Sequence, residues 1–395
     1  MTHTHRTPLH PAIVVVAYNR PASLARLFGS LARLRIPNES QVPLVVSVDD
    51  GFAETVRVAD EFHWPHGPKQ VIARSHRLGL REHVLSCGDL SAEYGAVMVL
   101  EDDLYVSPDA YRYADAAVDY YDDSEKVAGI SLYSYRIDEY LGLTFHPLED
   151  GYDTFFMQTP SSSGQVWTAR QWSRFRRWDA ENPLLAGIHF PRKASTWSTE
   201  RSWKKAFLGY LIDTDRYYVF PRVGLTTNCG DPGTHFHKEA INTAGRLLLG
   251  EPRWRFAAWN TDALRYDSWF EPHTETIERW WPGFGGHEVT IDFFGSKDLD
   301  GIDTPLLLSS KPCAAPEADF PMILLPFAHN LALSGQGEFF HLGRASDFKP
   351  LPARKWRRIF ETSNGQIGRE ISAGILWDRV VRHVTRDAGD PRLVD

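Results

Sequence analysis

The stretch Val97-Met-Val-Leu-Glu101-Asp102-Asp103 joins a short apolar run directly to three consecutive carboxylates. The run is of the length that a buried β-strand needs. Similar apolar runs occupy Ala12–Ala17 and Leu44–Val48, and helical patterns separate the three runs, the clearest of them beginning at Pro21. Strands alternating with helices of this size predict βαβ units, and therefore an α/β fold with a mostly parallel sheet and helices on both faces.

Composition excludes several classes of protein. The 395 residues are 43% hydrophobic and 24% charged, which is typical of a folded chain with more than one domain. A net charge of −8 argues against a protein that coats nucleic acid. The three cysteines are widely spaced and form no CxxC pair, which fits a reducing compartment. The longest apolar runs fall short of the roughly 20 residues of a membrane span, and the first residues are polar, so we expect a cytoplasmic protein.

The composition and the hydrophobic pattern of the sequence change along the chain. Residues 1–131 carry the βαβ pattern, and residues 132–240 are less regular and rich in tryptophan. Residues 241–352 read as β-rich, with an alternating strand-like run at 288–294. The pattern of the tail, residues 353–395, predicts a basic amphipathic helix that packs on the rest of the protein. The alternative is a helix that makes peripheral contact with the inner face of the membrane.

Polar side chains follow three strands of the predicted sheet. The strand ending at Leu100 leads into Asp102 and Asp103, and the other two lead into Tyr18-Asn19-Arg20 and Asp49-Asp50. Ligands bind beyond the carboxyl ends of parallel strands, and adjacent carboxylates are best stabilised by a hard divalent cation. We therefore predict a Mn²⁺ or Mg²⁺ site at Asp103, with Asp102 turned toward ribose or sugar hydroxyls. The alternative is a solvated acidic loop with ordinary helix caps.

These motifs carry a family resemblance. Val14-Val-Val-Ala-Tyr-Asn-Arg20, Val48-Asp-Asp-Gly51 and Leu100-Glu-Asp-Asp103 resemble the nucleotide-sugar half of inverting family 2 glycosyltransferases with the glycosyltransferase-A fold. The Glu-Asp-Asp form, with Leu104-Tyr-Val-Ser-Pro-Asp109 after it, is also similar to N-acetylglucosaminyltransferase I. The resemblance covers about residues 11–240. It implies a Rossmann-like sheet whose first half binds a nucleotide sugar, with UDP-sugar the expected donor, and whose second half binds the acceptor and closes the site.

The resemblance also implies roles for individual residues. His76-Arg77-Leu-Gly79 matches the loop beside the diphosphate, and His235 matches a third metal ligand or a diphosphate donor. Asp102 and Asp103 match the sugar and metal carboxylates, so that Asp102 counts among both the catalytic and the donor-binding residues. The remaining donor contacts implied are those of Ala17, Tyr18, Arg20 and Asp49.

The segment Ser161-Ser-Ser-Gly164-Gln165-Val-Trp167 resembles the acceptor segment of bacterial relatives. Glycine allows close approach of a ligand, the amide binds sugar hydroxyls, and an indole can stack on an apolar sugar face. Gly164, Gln165 and Trp167 are therefore predicted acceptor contacts, and core packing is the alternative for Trp167. A zinc hydrolase built on His235 and His237 is a further, weaker interpretation, since two histidines without a third ligand make an incomplete zinc site.

The general base is where the chain departs from the family. An inverting transfer needs a group that takes the proton of the acceptor hydroxyl, and the related enzymes place an aspartate just after a tryptophan. Here Trp203 has that spacing, but Lys204 and Lys205 follow it. Glu200 is the candidate base, and the lysines alternatively balance the charge of a diphosphate.

The sequence thus predicts a metal-dependent hexosyltransferase that moves a sugar from a nucleotide sugar to a hydroxyl of a saccharide or a lipid-linked glycan. Two alternatives remain open. The lysine pair suggests a carbohydrate-binding or scaffold protein that has lost catalysis. A sugar nucleotidyltransferase of related fold would need a Gly-rich basic loop after the first strand, where Tyr18-Asn-Arg-Pro21 stands instead.

Overall fold

A computed structural model of the chain describes residues 9–37, 41–231, 244–250, 253–260 and 263–371. The described residues divide into two compact units. The first unit comprises Met1–Tyr135, Gly151–Ile188 and Thr196–Trp259, and the second comprises Arg136–Asp150, His189–Ser195 and Asn260–Asp395.

The strands of the first unit are β1 (Ala12–Ala17), β2 (Leu44–Val48), β3 (Lys69–Ala73), β4 (Ala96–Glu101), β5 (Leu104–Val106), β6 (Val127–Ser131), β7 (Thr154–Met157), β8 (Gln165–Thr168), β9 (Tyr217–Pro221) and β10 (Thr226–Asn228). Its helices are α1 (Pro21–Leu31), α2 (Ala53–Glu61), α3 (Leu80–Asp89), α4 (Ser91–Tyr94), α5 (Ala110–Tyr121) and α6 (Ala169–Glu181). The next two helices in the chain are α7 (Arg192–Ser195), in the second unit, and α8 (Trp203–Asp213), in the first.

Eight strands of the first unit form one mixed sheet in the order β7-β9-β6-β8-β4-β1-β2-β3. Strands β4, β1, β2 and β3 pair in parallel, and β6 and β9 run in the same direction. Only β8 and β7 are antiparallel to their neighbours. The predicted α/β fold with a mostly parallel sheet is therefore confirmed.

The local sequence explains why the first strand and the first helix form. The β-branched residues of β1 are almost fully buried, as expected for a central strand covered on both faces. Pro21 occupies the first turn of α1, where its missing N–H costs no hydrogen bond. Leu24, Leu27 and Leu31 line the buried face of that helix at helical spacing.

The order of the strands determines where the candidate site lies. Strand β1 lies between β4 and β2, with Val16 opposite Glu101 and Ala17 opposite Val48. The residues that follow these three parallel strands therefore emerge side by side at one edge of the sheet.

The second unit contains a smaller β-region, as predicted. Its strands are β11 (Arg265–Tyr266), β12 (Val289–Asp292), β13 (Leu306–Ser309), β14 (Ala318–Phe320) and β15 (Phe340–Arg344), and its further helices are α9 (Thr274–Glu278) and α10 (Ala353–Ile371). Four of the strands form a sheet in the order β12-β13-β15-β14. Helix α10 begins the predicted helical tail and is interrupted at Gly365, where φ is +65°; residues 372–395 lie outside the described residues. No helix in the described parts of the chain combines the length and the apolar character needed to cross a bilayer.

Candidate active site

Arg20 joins the two carboxylates that follow β4. Its Nη1 donates to Asp103 Oδ2 at 3.0 Å, and its Nη2 donates to Asp102 Oδ1. The backbone N–H of Tyr18 also donates to Asp102 Oδ2, at 3.4 Å. The side chains of Asp102 and Asp103 are 2% and 14% exposed, so the acidic pair is mostly withdrawn from solvent. The ends of β1 and β4 are thus tied together through one guanidinium group.

Burial, together with the charges of neighbouring carboxylates, shifts the pKa values of Asp102 and Glu101 upward. Burial raises the pKa of Asp102 to about 6, although the charge of Arg20 acts in the opposite direction. Burial, and then the charges of Asp103 and Asp102, raise the pKa of Glu101 to about 8. Burial alone would lower the pKa of Arg20, but the two aspartates raise it above its ordinary value. An additional cation at this edge would therefore relieve electrostatic repulsion.

Glu101 gives a test of this repulsion. Its pKa is higher in the folded than in the unfolded chain, so its stabilising contribution is present below about pH 4.5 and is lost as the pH rises through about 8. We expect Glu101→Gln, which mimics the protonated acid, to raise the free energy of unfolding of metal-free protein by about 1–3 kcal/mol at about pH 9 and far less at about pH 5, because one pKa unit is worth about 1.4 kcal/mol. Denaturant titrations with a chelator across this range measure the difference. A matched Glu54→Gln variant, at an exposed position of α2, should show no such trend, and parallel pH profiles for Glu101→Gln and the unsubstituted protein would contradict the expectation.

The donor set at this edge fits a divalent metal in one respect. Asp103 Oδ1 is buried and has no hydrogen-bond partner among the described residues. A buried carboxylate oxygen without a partner is costly, and a hard cation would satisfy it. The described residues contain no group of three or more His, Cys, Asp or Glu side chains arranged to hold a metal.

Asp49 lies at the end of β2 and is 4% exposed. Its Oδ1 accepts the N–H groups of Leu78 at 2.7 Å and Asp50 at 3.1 Å, and its Oδ2 accepts the N–H of Gly79 at 3.1 Å. The carboxylate thus holds the loop that enters α3 against the end of β2. Its contact with a base or a ribose stays a prediction.

Tyr18 and Arg77 meet above this edge of the sheet. The guanidinium carbon of Arg77, an exposed residue, lies 5.0 Å from the centroid of the Tyr18 ring, a cation–π arrangement. Ala17, which precedes Tyr18, is 2% exposed, so it offers a ligand little surface. The pair of Tyr18 and Arg77 offers a flat face and a positive charge next to the acidic residues.

The three predicted acceptor residues lie in the core. Trp167 on β8 is fully buried, donates from Nε1 to Tyr218 Oη at 2.6 Å, and packs 4.3 Å from the ring of Trp172. Gln165 is 1% exposed. Gly164 has φ of +95°, and a Cβ there would lie 2.9 Å from a carbon of Thr226, so packing already explains this glycine. Trp167 has no exposed face for a sugar, and its packing agrees with the alternative interpretation as a core residue.

Glu200 and Lys204 occupy different surroundings. Helix α8 begins at Trp203, so Glu200 precedes it in a turn, is exposed, and accepts a hydrogen bond from Ser198 Oγ at 3.4 Å. Lys204 Nζ donates to Tyr135 Oη at 3.2 Å and lies 5.5 Å from the ring of Trp197. The charge of Lys204 also lowers the pKa of Glu101, which brings it into the electrostatic environment of the acidic residues. His235 and His237 lie outside the described residues.

Two groups of supporting residues were not apparent from the sequence. Beneath the end of β2, Ser47 Oγ is 2.8 Å from His83 Nε2 and accepts from Arg74 Nε at 3.1 Å. Burial lowers the pKa of His83 to about 4, so this histidine is neutral. At the end of β10, Asp231 accepts hydrogen bonds from Ser23 and Arg26 of α1. Residues far apart in sequence form both groups, and no local pattern marks them.

Comparisons with known proteins find similarity only among solved structures. No protein-family model matches the chain, and neither does any curated protein. TarS 1-349 from S. aureus has 14% identity and a TM-score of 0.33, over 53% of this chain and 60% of that one. The same protein in complex with UDP-GlcNAc has 15% identity and a TM-score of 0.33, over 54% and 59%. The mannosyltransferase PcManGT from Pyrobaculum calidifontis, in complex with GDP-Man and Mn²⁺, has 12% identity and a TM-score of 0.32, over 54% and 57%.

The chain thus spans about three fifths of the length of these structures, and at such identities the similarity is one of fold alone. The predicted similarity to N-acetylglucosaminyltransferase I is not tested by them and stays a prediction.

Proposed function

We propose that the chain is a metal-dependent glycosyltransferase that moves a hexosyl group from a nucleotide sugar, with UDP-sugar the expected donor, to a hydroxyl of a saccharide or lipid-linked glycan. One observation carries the proposal. Asp102 and Asp103 follow β4, Arg20 follows β1 and Asp49 follows β2, so that charged side chains lie beyond the carboxyl ends of three adjacent parallel strands, and Arg20 bridges the two that follow β4.

The donor would be bound by residues of three loops. Tyr18 and Arg77 supply a stacking face and a cation for a base and a diphosphate. Asp49 keeps the loop of Leu78 and Gly79 in place beside them. Asp102, fixed by Arg20 and by the N–H of Tyr18, would orient ribose or sugar hydroxyls.

Asp103 would hold the divalent ion, with Oδ1 as the ligand atom, since that oxygen is buried and unpartnered among the described residues. A bound Mn²⁺ or Mg²⁺ supplies neutralisation of the charge that develops on the leaving diphosphate. Arg20 stabilises the same two carboxylates in the metal-free protein, and its hydrogen bonds keep them fixed at the sheet edge.

Lys204 supplies a positive charge on the side of the site where the acceptor would bind. Its ammonium group lies beside Tyr135 and Trp197 and interacts electrostatically with Glu101. A cation in this position suits a diphosphate or an anionic acceptor better than it suits proton abstraction. Glu200 remains the proposed base, and inversion is proposed only from the family resemblance. Since Trp167 and Gln165 are buried, and Tyr135 is only 8% exposed, the half-buried Trp197 beside Lys204 replaces them in the proposed acceptor surface.

A thermal-shift panel tests the proposed function. The full chain is heated with UDP, GDP, ADP, UDP-sugars, glycans, or nucleoside triphosphates together with sugar phosphates, each with and without Mn²⁺. Ligands that bind only the folded state stabilise it by about 2.7 kcal/mol at 100 times their Kd, so we expect a Tm increase of a few degrees with a UDP ligand that requires the metal.

Other outcomes of the panel would favour the alternatives. A shift with glycans but with no nucleotide, even with Mn²⁺, would indicate a carbohydrate-binding protein without catalysis. A shift confined to nucleoside triphosphates together with sugar phosphates would indicate a nucleotidyltransferase.

A further inference from the structure

The second unit contains a small cavity of about 40 Å³, lined only by residues of that unit. Aromatic rings make up much of its wall, among them Phe145, Tyr266, Phe270 and Phe293. Leu325 also lines it and is 42% exposed, so the cavity reaches the surface at that side chain. Space of this size accommodates about three water molecules, and therefore a group of about three or four heavy atoms.

Two polar groups of this wall lack partners. Glu271 is fully buried, and its Oε1 accepts the N–H of Phe294 at 2.7 Å, but its Oε2 has no hydrogen-bond partner among the described residues. Ser363 is 6% exposed, and its Oγ likewise has no hydrogen-bond partner among the described residues. Buried polar atoms are nearly always hydrogen-bonded, because leaving one unpaired is costly. Thr144 and His146 also line the cavity, and two unpartnered polar atoms in its wall indicate a ligand that carries a polar atom.

The charged groups around Glu271 determine which kind of polar atom on a ligand could form a hydrogen bond with it. Burial, and then the charge of Asp292, raise the pKa of Glu271 well above its ordinary value, and Lys297 only partly opposes them. The ammonium group of Lys297 already has an anionic partner, since its Nζ is 2.5 Å from Asp267 Oδ2, and Asp292 pairs with Lys311 at 2.5 Å. These effects favour the protonated form of Glu271, and because Oε1 accepts a backbone N–H, Oε2 is the atom placed to donate a hydrogen bond. Its complement is a hydrogen-bond acceptor on an uncharged group.

We propose that this cavity binds a short neutral acyl group, such as the acetyl group of an N- or O-acetylated saccharide. The carbonyl oxygen would accept hydrogen bonds from Glu271 and Ser363, and the methyl group would pack against Phe145 and Phe270. The rest of the ligand would leave past Leu325. The site is independent of the proposed function, because every residue in it belongs to the second unit.

Ligand-observed NMR titration of the full chain tests the site with two matched probes, methyl 2-acetamido-2-deoxyglucopyranoside and methyl glucopyranoside. We expect the acetylated probe to bind about tenfold or more tightly, with the strongest saturation transfer at its acetyl methyl. Glu271→Met removes the donor and should weaken binding of the acetylated probe about tenfold. Glu271→Gln keeps an acceptor for Phe294 and an N–H donor for the carbonyl, so it should retain binding within about threefold.

A second variant keeps the test valid if substitutions at Glu271 prevent the protein from folding. Ala328 lines the cavity and is 9% exposed, so Ala328→Leu should fill the space and abolish binding of the acetylated probe. Asp103→Asn should leave that binding unchanged, which separates this site from the proposed donor site. Equal affinity for the two probes, persistence of binding in Ala328→Leu, or no binding of either probe would overturn the proposal; in the last case the cavity serves only ordered water.

Discussion

Asp103→Asn is expected to abolish the Mn²⁺-dependent Tm increase with UDP while leaving the metal-free Tm within a few degrees. The substitution keeps the shape of the side chain but removes the negative charge that a divalent ion requires. It also ends the repulsion between Asp103 and the neighbouring acids, which acts on both Glu101 and Asp102. Calorimetric titration of UDP with Mn²⁺ should show an affinity loss of about 100-fold or more, because losing even a group that only supports a metal ligand typically costs about 10- to 100-fold.

The control for this prediction lies at the opposite edge of the sheet. Asp123 stands between α5 and β6, where the parallel strands begin, and it pairs with Arg170 at 2.9 Å. Asp123→Asn removes one carboxylate in the same way, and we expect it to leave the metal-dependent binding of UDP unchanged. Unaltered binding in Asp103→Asn would remove the metal site from the proposed function. Equal losses in both variants would assign the effect to general electrostatics.

Trp167→Ala is expected to lower the free energy of unfolding by about 3–5 kcal/mol, the usual cost of removing a large aromatic side chain from a core. The ring is fully buried between Trp172, Trp203 and Phe207, and its loss also leaves Tyr218 without the indole N–H that now donates to it. Urea titration monitored by far-UV circular dichroism measures the change.

Phe52→Ala serves as the comparison, since Phe52 is an aromatic residue of the same unit with 42% of its surface exposed. We expect it to cost about 0.5 kcal/mol or less. A Trp167→Ala variant with unchanged stability but impaired transfer would restore Trp167 to the acceptor site and contradict its assignment to the core.

The alternation of strands and helices up to residue 131 was predictable because it depends on local pattern. The β-branched run of β1, the proline at the start of α1 and the helical spacing of its leucines each specify an element within a few residues of themselves. The same holds for Asp102 and Asp103, because residues that follow a buried parallel strand must emerge at its carboxyl end.

The acceptor segment shows the limit of this reasoning. A glycine, a glutamine and a tryptophan at short spacing suit a sugar, and they equally suit an antiparallel strand buried between two others. Strand β8 lies between β4 and β6, and that insertion buries Gln165 and Trp167. No feature of the segment itself reveals which strands will flank it.

The sequence by itself determined the α/β alternation up to residue 131 and the position of the acidic residues at a strand end, because both follow from hydrophobic periodicity over a few residues. Tertiary structure alone decided that Arg20 bridges Asp102 and Asp103, that Trp167 is buried, and that Glu271 and Ser363 line one cavity. The physical reason is that pairing, burial and pKa depend on groups brought together from distant parts of the chain.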